Sequence, residues 1–240
     1  MINSNGSTDQ TDQTDQPIKR INQTNQINNG VEIMDKTIFT AEAGGVSLQG
    51  RLEGMDHLRK PYEGTLAVLF PGRSYPSTAP LLYYSDRLFL EHQIPVLKLD
   101  YGNLPWNQDS REMADGLIQK ILRDAGADRF AKLIFIAASI GTVFATDIIQ
   151  AGFPKACAIL FAPIDGALEG MKGISFLAFS GSEDPLLTVE TARLHLDASF
   201  GSLEFLPKAD HHLTLVSAMK TMAMHQHIMA KTEAFLLSII

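Results

Sequence analysis

The chain has 240 residues, a net charge of −7 and a hydrophobic fraction of 45%, which suits one globular domain with a substantial core. The negative net charge argues against a basic surface for nucleic-acid binding. No apolar run reaches the roughly 18 residues that a membrane span needs. The first ten residues do not resemble a secretion signal, and the single Cys157 excludes an internal disulfide and a cysteine-based zinc site. These features predict a cytoplasmic protein without nucleic-acid or membrane partners.

Residues 1–30 differ in composition from the rest of the chain. They are rich in Asn, Gln and Thr, include the run TDQTDQTDQ at residues 8–16, and contain almost no large apolar side chains. Little apolar burial is therefore available to offset the entropy lost on ordering. The composition predicts a disordered polar tail over residues 1–30, followed by a single domain over residues 31–240.

From residue 31 onward, short apolar runs mostly alternate with amphipathic segments. The first two runs are separated by Gly44-Gly45, which is typical of a hairpin. The runs predict strands at residues 36–41, 46–52, 64–70, 95–99, 133–136, 156–161, 174–179 and 203–206. Helical patterns occupy residues 79–92, 107–125, 142–150, 186–198 and 215–237. This order predicts an open, mostly parallel twisted sheet with helices on both faces and a ligand site beyond the carboxyl ends of the strands.

The stretch KLIFIAASIGT, residues 132–142, places Ser139 between a buried-type strand and a helix. Small residues surround this serine, which is the layout of a nucleophile elbow, a strained turn with no room for bulk. Ala137 stands where the G-x-S-x-G pattern has its first glycine. The alternative interpretation is that Ser139 is only the N-cap of the helix that follows.

Residues that could take part in catalysis or substrate binding follow several of the other predicted strands. Gly72 and Arg73 follow the third strand, Tyr101 the fourth, Asp184 the seventh and His211 the eighth. Because the carboxyl ends of parallel strands meet at one edge of a sheet, these residues are expected to lie near the serine. A nucleophile, an acid and a histidine would then share one site.

In the order Ser139, Asp184 and His211, the sequence resembles the α/β-hydrolase superfamily, whose nucleophile, acid and histidine follow in that order. The resemblance runs from about Val46 to the end and is greatest to small esterases and dienelactone-hydrolase-like members. It implies an α/β-hydrolase fold of about eight strands with an antiparallel second strand. The connection between residues 161 and 174 is too short for a lid domain.

The resemblance also implies a role for each of the three residues. Ser139 would be the nucleophile, His211 the base that removes its proton, and Asp184 the acid that orients the imidazole. His212 is the alternative base and Glu183 the alternative acid. Asp184 precedes a proline, so it also suits a helix start without catalytic function.

The same resemblance implies an oxyanion hole formed by two backbone amides, those of Ile140 and Arg73. Gly72 lets the backbone approach a substrate, although the loop begins with a proline in place of the usual histidine. The Arg73 side chain is expected either to favour an anionic substrate or to be solvated at the surface.

The remaining features concern the pocket and cofactors. Tyr75 and Tyr101 are candidates for substrate binding, with core packing as the alternative. His225 and His227 are two apart on a predicted helix and therefore do not face each other as metal ligands would. No glycine-rich phosphate loop or dinucleotide fingerprint occurs in the sequence, so we expect neither a cofactor nor a metal.

Together these observations predict a serine hydrolase that cleaves an ester, thioester or related acyl bond of a small molecule through an acyl-enzyme on Ser139. One alternative is a hydrolase-fold protein used for binding or scaffolding, which the altered elbow and the missing loop histidine favour. Another is a peptidase or an acyltransferase on the same fold, because fold and triad do not distinguish these reactions.

Overall fold

The computed structural model describes residues 21–23, 36–57, 64–107, 110–153, 156–195 and 200–240. Within these ranges the chain forms one nine-stranded sheet and five α-helices. The strands are β1 (Ile21–Gln23), β2 (Lys36–Ala43), β3 (Val46–Glu53), β4 (Thr65–Phe70), β5 (Val96–Asp100), β6 (Lys132–Ala138), β7 (Ala156–Phe161), β8 (Phe176–Gly181) and β9 (Gly201–Leu206). The helices are α1 (Pro80–Glu91), α2 (Ser110–Asp124), α3 (Ile140–Gln150), α4 (Val189–His195) and α5 (Ala218–Ile239).

The strands lie in the order β1-β2-β3-β5-β4-β6-β7-β8-β9. All neighbours from β5 to β9 are parallel, whereas β3 is antiparallel to both β2 and β5. Counted from β2, this is the mostly parallel sheet of eight strands with an antiparallel second strand that the sequence predicts. That prediction is confirmed.

The ninth strand, β1, corrects the prediction for the amino-terminal segment. Ile21–Gln23 pairs antiparallel with β2, with Ile21 opposite Ile38. The prediction of disorder is wrong for these three residues, because pairing with a sheet edge satisfies backbone polar groups without a run of apolar side chains. Residues 1–20 and 24–30, the rest of the predicted tail, lie outside the described residues.

Alternate side chains of the central strands enter two separate cores. In β4, Leu66, Val68 and Phe70 pack on the side of α2 and α3, whereas Ala67 and Leu69 pack on the side of α1 and α5. All five are fully buried. A parallel strand covered on both faces needs this continuous apolar run, which is why the strand could be predicted from its sequence.

The helix ends differ from the predicted ones by a few residues. The helix predicted from residue 186 begins at Val189, and the one predicted from residue 215 begins at Ala218. Ser217 caps α5 by accepting a hydrogen bond from the Lys220 amide, and such capping contacts fix the start of a helix. The connection from Phe161 to Phe176 holds only a short 3-10 turn and no lid domain.

Candidate active site

Ser139 lies at the sharp turn between β6 and α3. Its backbone has φ 52° and ψ −125°, a left-handed conformation that a non-glycine residue adopts only when its surroundings impose it. Its amide donates to the Phe161 carbonyl at 3.0 Å, which ties the turn to the end of β7. Its hydroxyl makes no capping bond to α3, so the interpretation of Ser139 as a side-chain N-cap is wrong.

The small residues around Ser139 permit this turn. A Cβ on Gly141 would lie 2.3 Å from the Phe70 carbonyl oxygen and 2.5 Å from that of Pro71, so only glycine fits there. Ala137 is fully buried in β6, where it pairs with residues of β4 and β7. Its methyl group is accommodated, which explains why this position need not be glycine.

The hydroxyl of Ser139 contacts the imidazole of His211. Ser139 Oγ lies 2.8 Å from His211 Nε2, and His211 Nδ1 lies 2.8 Å from Asp184 Oδ2. The three side chains come from the ends of β6, β8 and β9, which converge at the carboxyl edge of the sheet. Such a chain of contacts can move a proton from the hydroxyl to the imidazole.

Asp184 lies in a tight turn directly after β8. Its side chain is fully buried, and its second oxygen, Oδ1, accepts the Leu186 amide at 2.8 Å. Because α4 begins only at Val189, this carboxylate does not cap a helix. The Leu186 amide instead fixes the carboxylate so that Oδ2 faces His211.

The alternative acid and base lie elsewhere. His212 follows His211, and its ring centroid is 5.9 Å from that of His211, at the rim of the site. Glu183 is exposed, and its amide donates to the Ala209 carbonyl. The geometry therefore brings together Ser139, His211 and Asp184, not the alternatives.

The two residues whose amides are predicted to form the oxyanion hole lie close to Ser139, since Ile140 follows it in the chain and Arg73 lines the same cleft. Ile140 is the first residue of α3, so its amide has no acceptor within the helix. Gly72 and Tyr75 form a small bridge in which the Gly72 amide donates to Tyr75 and the Tyr75 amide to Gly72. Arg73 lies in the turn inside this bridge, and its amide takes no part in the pair.

Gly72 lies against Ser139. A Cβ on Gly72 would be 3.1 Å from Ser139 Cβ and 3.2 Å from the Ala138 carbonyl oxygen. The loop after β4 can therefore approach the elbow closely only because this residue has no side chain. This close approach puts the Arg73 turn beside the serine.

A cleft of about 250 Å³ opens over Ser139. Its walls are mostly apolar. They are formed by Arg73, Ser74, Tyr75, Leu81, Ala138, Phe161, Ala162, Leu186, His211, His212 and Leu213. Concave, largely apolar sites with a few converging polar groups are typical of small-molecule binding.

Tyr75 and Arg73 both line this cleft. The Tyr75 hydroxyl accepts the Leu81 amide at 3.1 Å, which fixes the start of α1. Burial raises the pKa of Tyr75, against the opposing effect of that hydrogen bond. The exposed Arg73 guanidinium lies over the Trp106 ring at 5.8 Å, a distance at which cation–π attraction holds it in place.

Tyr101 does not line the cleft, so its prediction as a substrate-binding residue is wrong. It is buried in the core between Trp106 and Phe144, with ring centroids 5.7 and 5.2 Å away. Burial, together with the nearby charge of Asp115, raises its pKa well above the ordinary range. Its position after a strand resembled that of a site residue, but its side chain turns toward the α2 and α3 side of the sheet.

The fold is similar to that of several solved structures. No protein-family model matches the chain, and no curated protein matches its sequence. XC6422 from Xanthomonas campestris, an α/β serine hydrolase without a lid, is 14% identical, with a TM-score of 0.59 over 83% of this chain and 94% of its own. Est1E from Butyrivibrio proteoclasticus is 12% identical, with a TM-score of 0.57 over 81% and 98%. The esterase Pf2001 from Pyrococcus furiosus is 13% identical, with a TM-score of 0.60 over 86% and 92%.

The chain has the α/β-hydrolase fold. At such low identities the likeness shows the fold alone, and the activity has to be argued from the site. The lidless arrangement of XC6422 agrees with the short connection between β7 and β8.

Three leucines that line the cleft of this α/β-hydrolase fold were not predicted from the sequence. Leu81, Leu186 and Leu213 line it, yet in the sequence they resemble ordinary core leucines. Leu213 carries one signal, since it follows His211 closely, but its φ of 53° emerges only in the folded loop.

The residues that the structure describes contain neither a metal-binding cluster nor a membrane-spanning helix. Among the residues that the structure describes, no group of three or more His, Cys, Asp or Glu side chains is arranged to hold a metal. Within the same ranges, none of the helices combines the length and the apolar character that crossing a bilayer requires.

Proposed function

We propose that the protein is a serine hydrolase that cleaves an ester, thioester or related acyl bond of a small molecule through an acyl-enzyme on Ser139. The observation that carries the proposal is the pair of 2.8 Å contacts joining Ser139, His211 and Asp184. The similarity to α/β serine hydrolases and esterases of known structure supports it.

The first half of the reaction forms the acyl-enzyme. Asp184 accepts a hydrogen bond from the Nδ1–H group of His211, which keeps the proton on Nδ1 and leaves Nε2 free to take the proton of Ser139. Oγ then bonds to the acyl carbon, and the carbonyl electron pair moves to its oxygen. The amides of Arg73 and Ile140 would donate to that oxyanion, and each such donor is worth roughly 3–4 kcal/mol. Collapse of the oxyanion breaks the bond to the leaving alcohol or thiol, which takes the proton from His211 Nε2, and this completes the acyl-enzyme.

The second half of the reaction returns the free enzyme. A water molecule then gives its proton to the same nitrogen and attacks the acyl carbon. The Ser139 oxygen leaves, regains the proton, and a carboxylic acid is released.

The test combines turnover with covalent labelling. Wild-type protein is expected to hydrolyse 4-nitrophenyl acetate and to react with a fluorophosphonate probe at Ser139. Ser139→Ala should lose the label and about 10⁴-fold or more in turnover, since nucleophile removal in measured triads costs that much. Asp184→Asn should lower turnover by a similar factor without changing the geometry of the site, because the amide favours the wrong imidazole tautomer.

Ser202→Ala is the matched control, because Ser202 is exposed on β9. This substitution should leave both turnover and labelling unchanged. Full activity in Ser139→Ala would refute the assignment. A wild-type protein that is neither labelled nor active would favour a binding or scaffolding role. Matched ester, thioester and anilide substrates would separate an esterase or thioesterase from a peptidase, and addition of an alcohol acceptor would reveal acyl transfer.

A further inference from the structure

The loop that carries His211 is closed by the side chain of the residue before it. Asp210 Oδ1 accepts the His212 amide at 3.0 Å and the Thr214 amide at 2.8 Å. Asp210 Oδ2 accepts the Thr214 hydroxyl at 2.9 Å. The carboxylate therefore holds the chain immediately after His211 while its own backbone lies immediately before it.

We propose that Asp210 is a positioning residue, whose carboxylate fixes the His211 backbone so that the imidazole stands between Ser139 and Asp184. The proposal rests on the proposed function, because it gives Asp210 a part in the chemistry of Ser139. Asp210 is itself exposed, and its hydrogen bonds are made to the loop, not to the reacting groups. It would act only through His211.

The backbone of the same loop needs such a restraint. The Asp210 amide donates to the Thr214 carbonyl at 3.2 Å, and the Leu213 amide donates to the Asp210 carbonyl at 3.0 Å. Between them Leu213 adopts φ 53°, a left-handed conformation that a leucine does not favour. The loop is thus a tight, strained turn that its side-chain bonds hold closed.

The outer side of the loop is fixed by α5. His225 Nε2 donates to the Leu213 carbonyl at 2.8 Å. This bond anchors the far end of the turn, whereas Asp210 anchors the part next to His211. Loss of the Asp210 bonds would therefore leave the turn attached to α5 but free to shift at His211.

The charge of Asp210 suits this role. Partial burial acts to raise its pKa, but the hydrogen bonds from Thr214 and His212 outweigh that effect and hold the pKa below its ordinary value. The carboxylate is therefore ionised at neutral pH. Its hydrogen bonds then hold the loop closed.

The imidazole tolerates little displacement, since both of its contacts are 2.8 Å long. A misplacement of about 1 Å can cost on the order of 10²-fold in rate. We expect Asp210→Ala to lower kcat for 4-nitrophenyl acetate by about 10- to 100-fold, with KM nearly unchanged. Asp210→Asn should recover most of the rate, because its amide oxygen can accept both backbone amides and the Thr214 hydroxyl can reverse its role.

Asp128→Ala is the matched control, an exposed aspartate on the short 3-10 turn before β6. If Asp210→Ala fails to fold, Thr214→Val removes only the hydroxyl bond and should still lower kcat several-fold at constant KM. Unchanged kcat in Asp210→Ala or in Thr214→Val overturns the proposal, as does Asp210→Asn being as slow as Asp210→Ala. These outcomes differ from failure of the proposed function, in which wild-type protein is itself inactive and unlabelled and both proposals fall.

Discussion

Gly181 and Ala209 lie so close together that a Cβ on the glycine would be 2.1 Å from the Ala209 carbonyl oxygen. Gly181 ends β8, three residues before Asp184, and Ala209 lies two residues before His211. The Ala209 carbonyl also accepts the Glu183 amide at 3.0 Å. The acid and the histidine therefore meet because the backbones that carry them are in direct contact.

Replacing Gly181 by alanine should disturb this contact. The added methyl group would meet two backbone carbonyls, those of Ala209 and Asp210, which cannot move aside as a side chain can. We expect a loss of about 1–3 kcal/mol in the free energy of unfolding, as for other overpacked sites. We also expect at least a 10-fold fall in kcat for 4-nitrophenyl acetate, because the histidine loop is pushed away from Asp184. Denaturant unfolding and steady-state kinetics measure the two effects.

Gly116→Ala is the matched control for this prediction. Gly116 is exposed in α2, and a Cβ there would meet nothing within 4 Å. Alanine in a helix interior is favoured over glycine by roughly 0.5–1 kcal/mol, so this variant should be slightly more stable and fully active. Equal stability and activity of the Gly181→Ala and wild-type proteins would show that the close contact is not required.

Arg73 is expected to select substrates by charge through its side chain. Within the described residues no carboxylate pairs with it, and its guanidinium is held at the cleft over Trp106. Arg73→Met keeps the backbone amide but removes the charge. We predict that it raises KM for mono-4-nitrophenyl glutarate by about five-fold, the value of an exposed ion pair, and leaves KM for 4-nitrophenyl butyrate unchanged.

Arg123→Met controls for loss of a positive charge, since Arg123 lies on α2, where it bonds to Gln119. It should alter neither KM value. An equal change of KM for both esters in Arg73→Met would mean that the guanidinium only shapes the cleft. A fall in kcat for both esters would instead point to a disturbed Arg73 amide.

Asp115 is expected to make stability depend on pH. It lies on α2 opposite Asp147 of α3, and its Oδ1 is buried without a hydrogen-bond partner. Burial, followed by the charge of Asp147, raises its pKa from 3.8 to about 7, although Arg111 opposes the shift. The folded protein therefore retains this proton at pH values where the unfolded chain has lost it.

The sign of the effect follows from that difference in bound protons. The stability contributed by protonated Asp115 is full below pH 3.8 and is lost as the pH rises to about 7. We predict that Asp115→Asn becomes progressively more stable than wild type over this range, by up to about 1.4 kcal/mol per pH unit. Urea unfolding at a series of pH values measures it. Glu190→Gln, which removes an exposed carboxylate on α4, is the control, and its free energy of unfolding should depend on pH as that of wild type does. The same pH dependence in Asp115→Asn would mean that the Asp115 carboxyl has an ordinary pKa.

Much of the fold could be predicted because its signals are local. The run from Leu133 to Ile136 is apolar on both faces of β6, so burial by helices on each side follows from the run itself. The three residues of β1 could not be predicted, because their strand depends on pairing with β2 and their composition favours disorder.

In the site, the sequence narrowed the possible acid and base to a few residues but did not decide between them. It placed an acid and a histidine after the correct strands, but one neighbouring residue was an alternative for each role, Glu183 for the acid and His212 for the base. Side-chain direction decided among them, since His211 turns inward from the Asp210 loop and His212 faces the rim. Tyr101 was misassigned for the same reason, because a position after a strand does not fix which way a ring points.

The sequence by itself determined the order of strands and helices and the elbow around Ser139, because both depend on residues close together in the chain. Only the tertiary structure decided which imidazole reaches the hydroxyl and which side chains wall the cleft. Those outcomes depend on contacts between loops far apart in sequence, such as that of Gly181 with Ala209. Local periodicity cannot encode a distance of this kind.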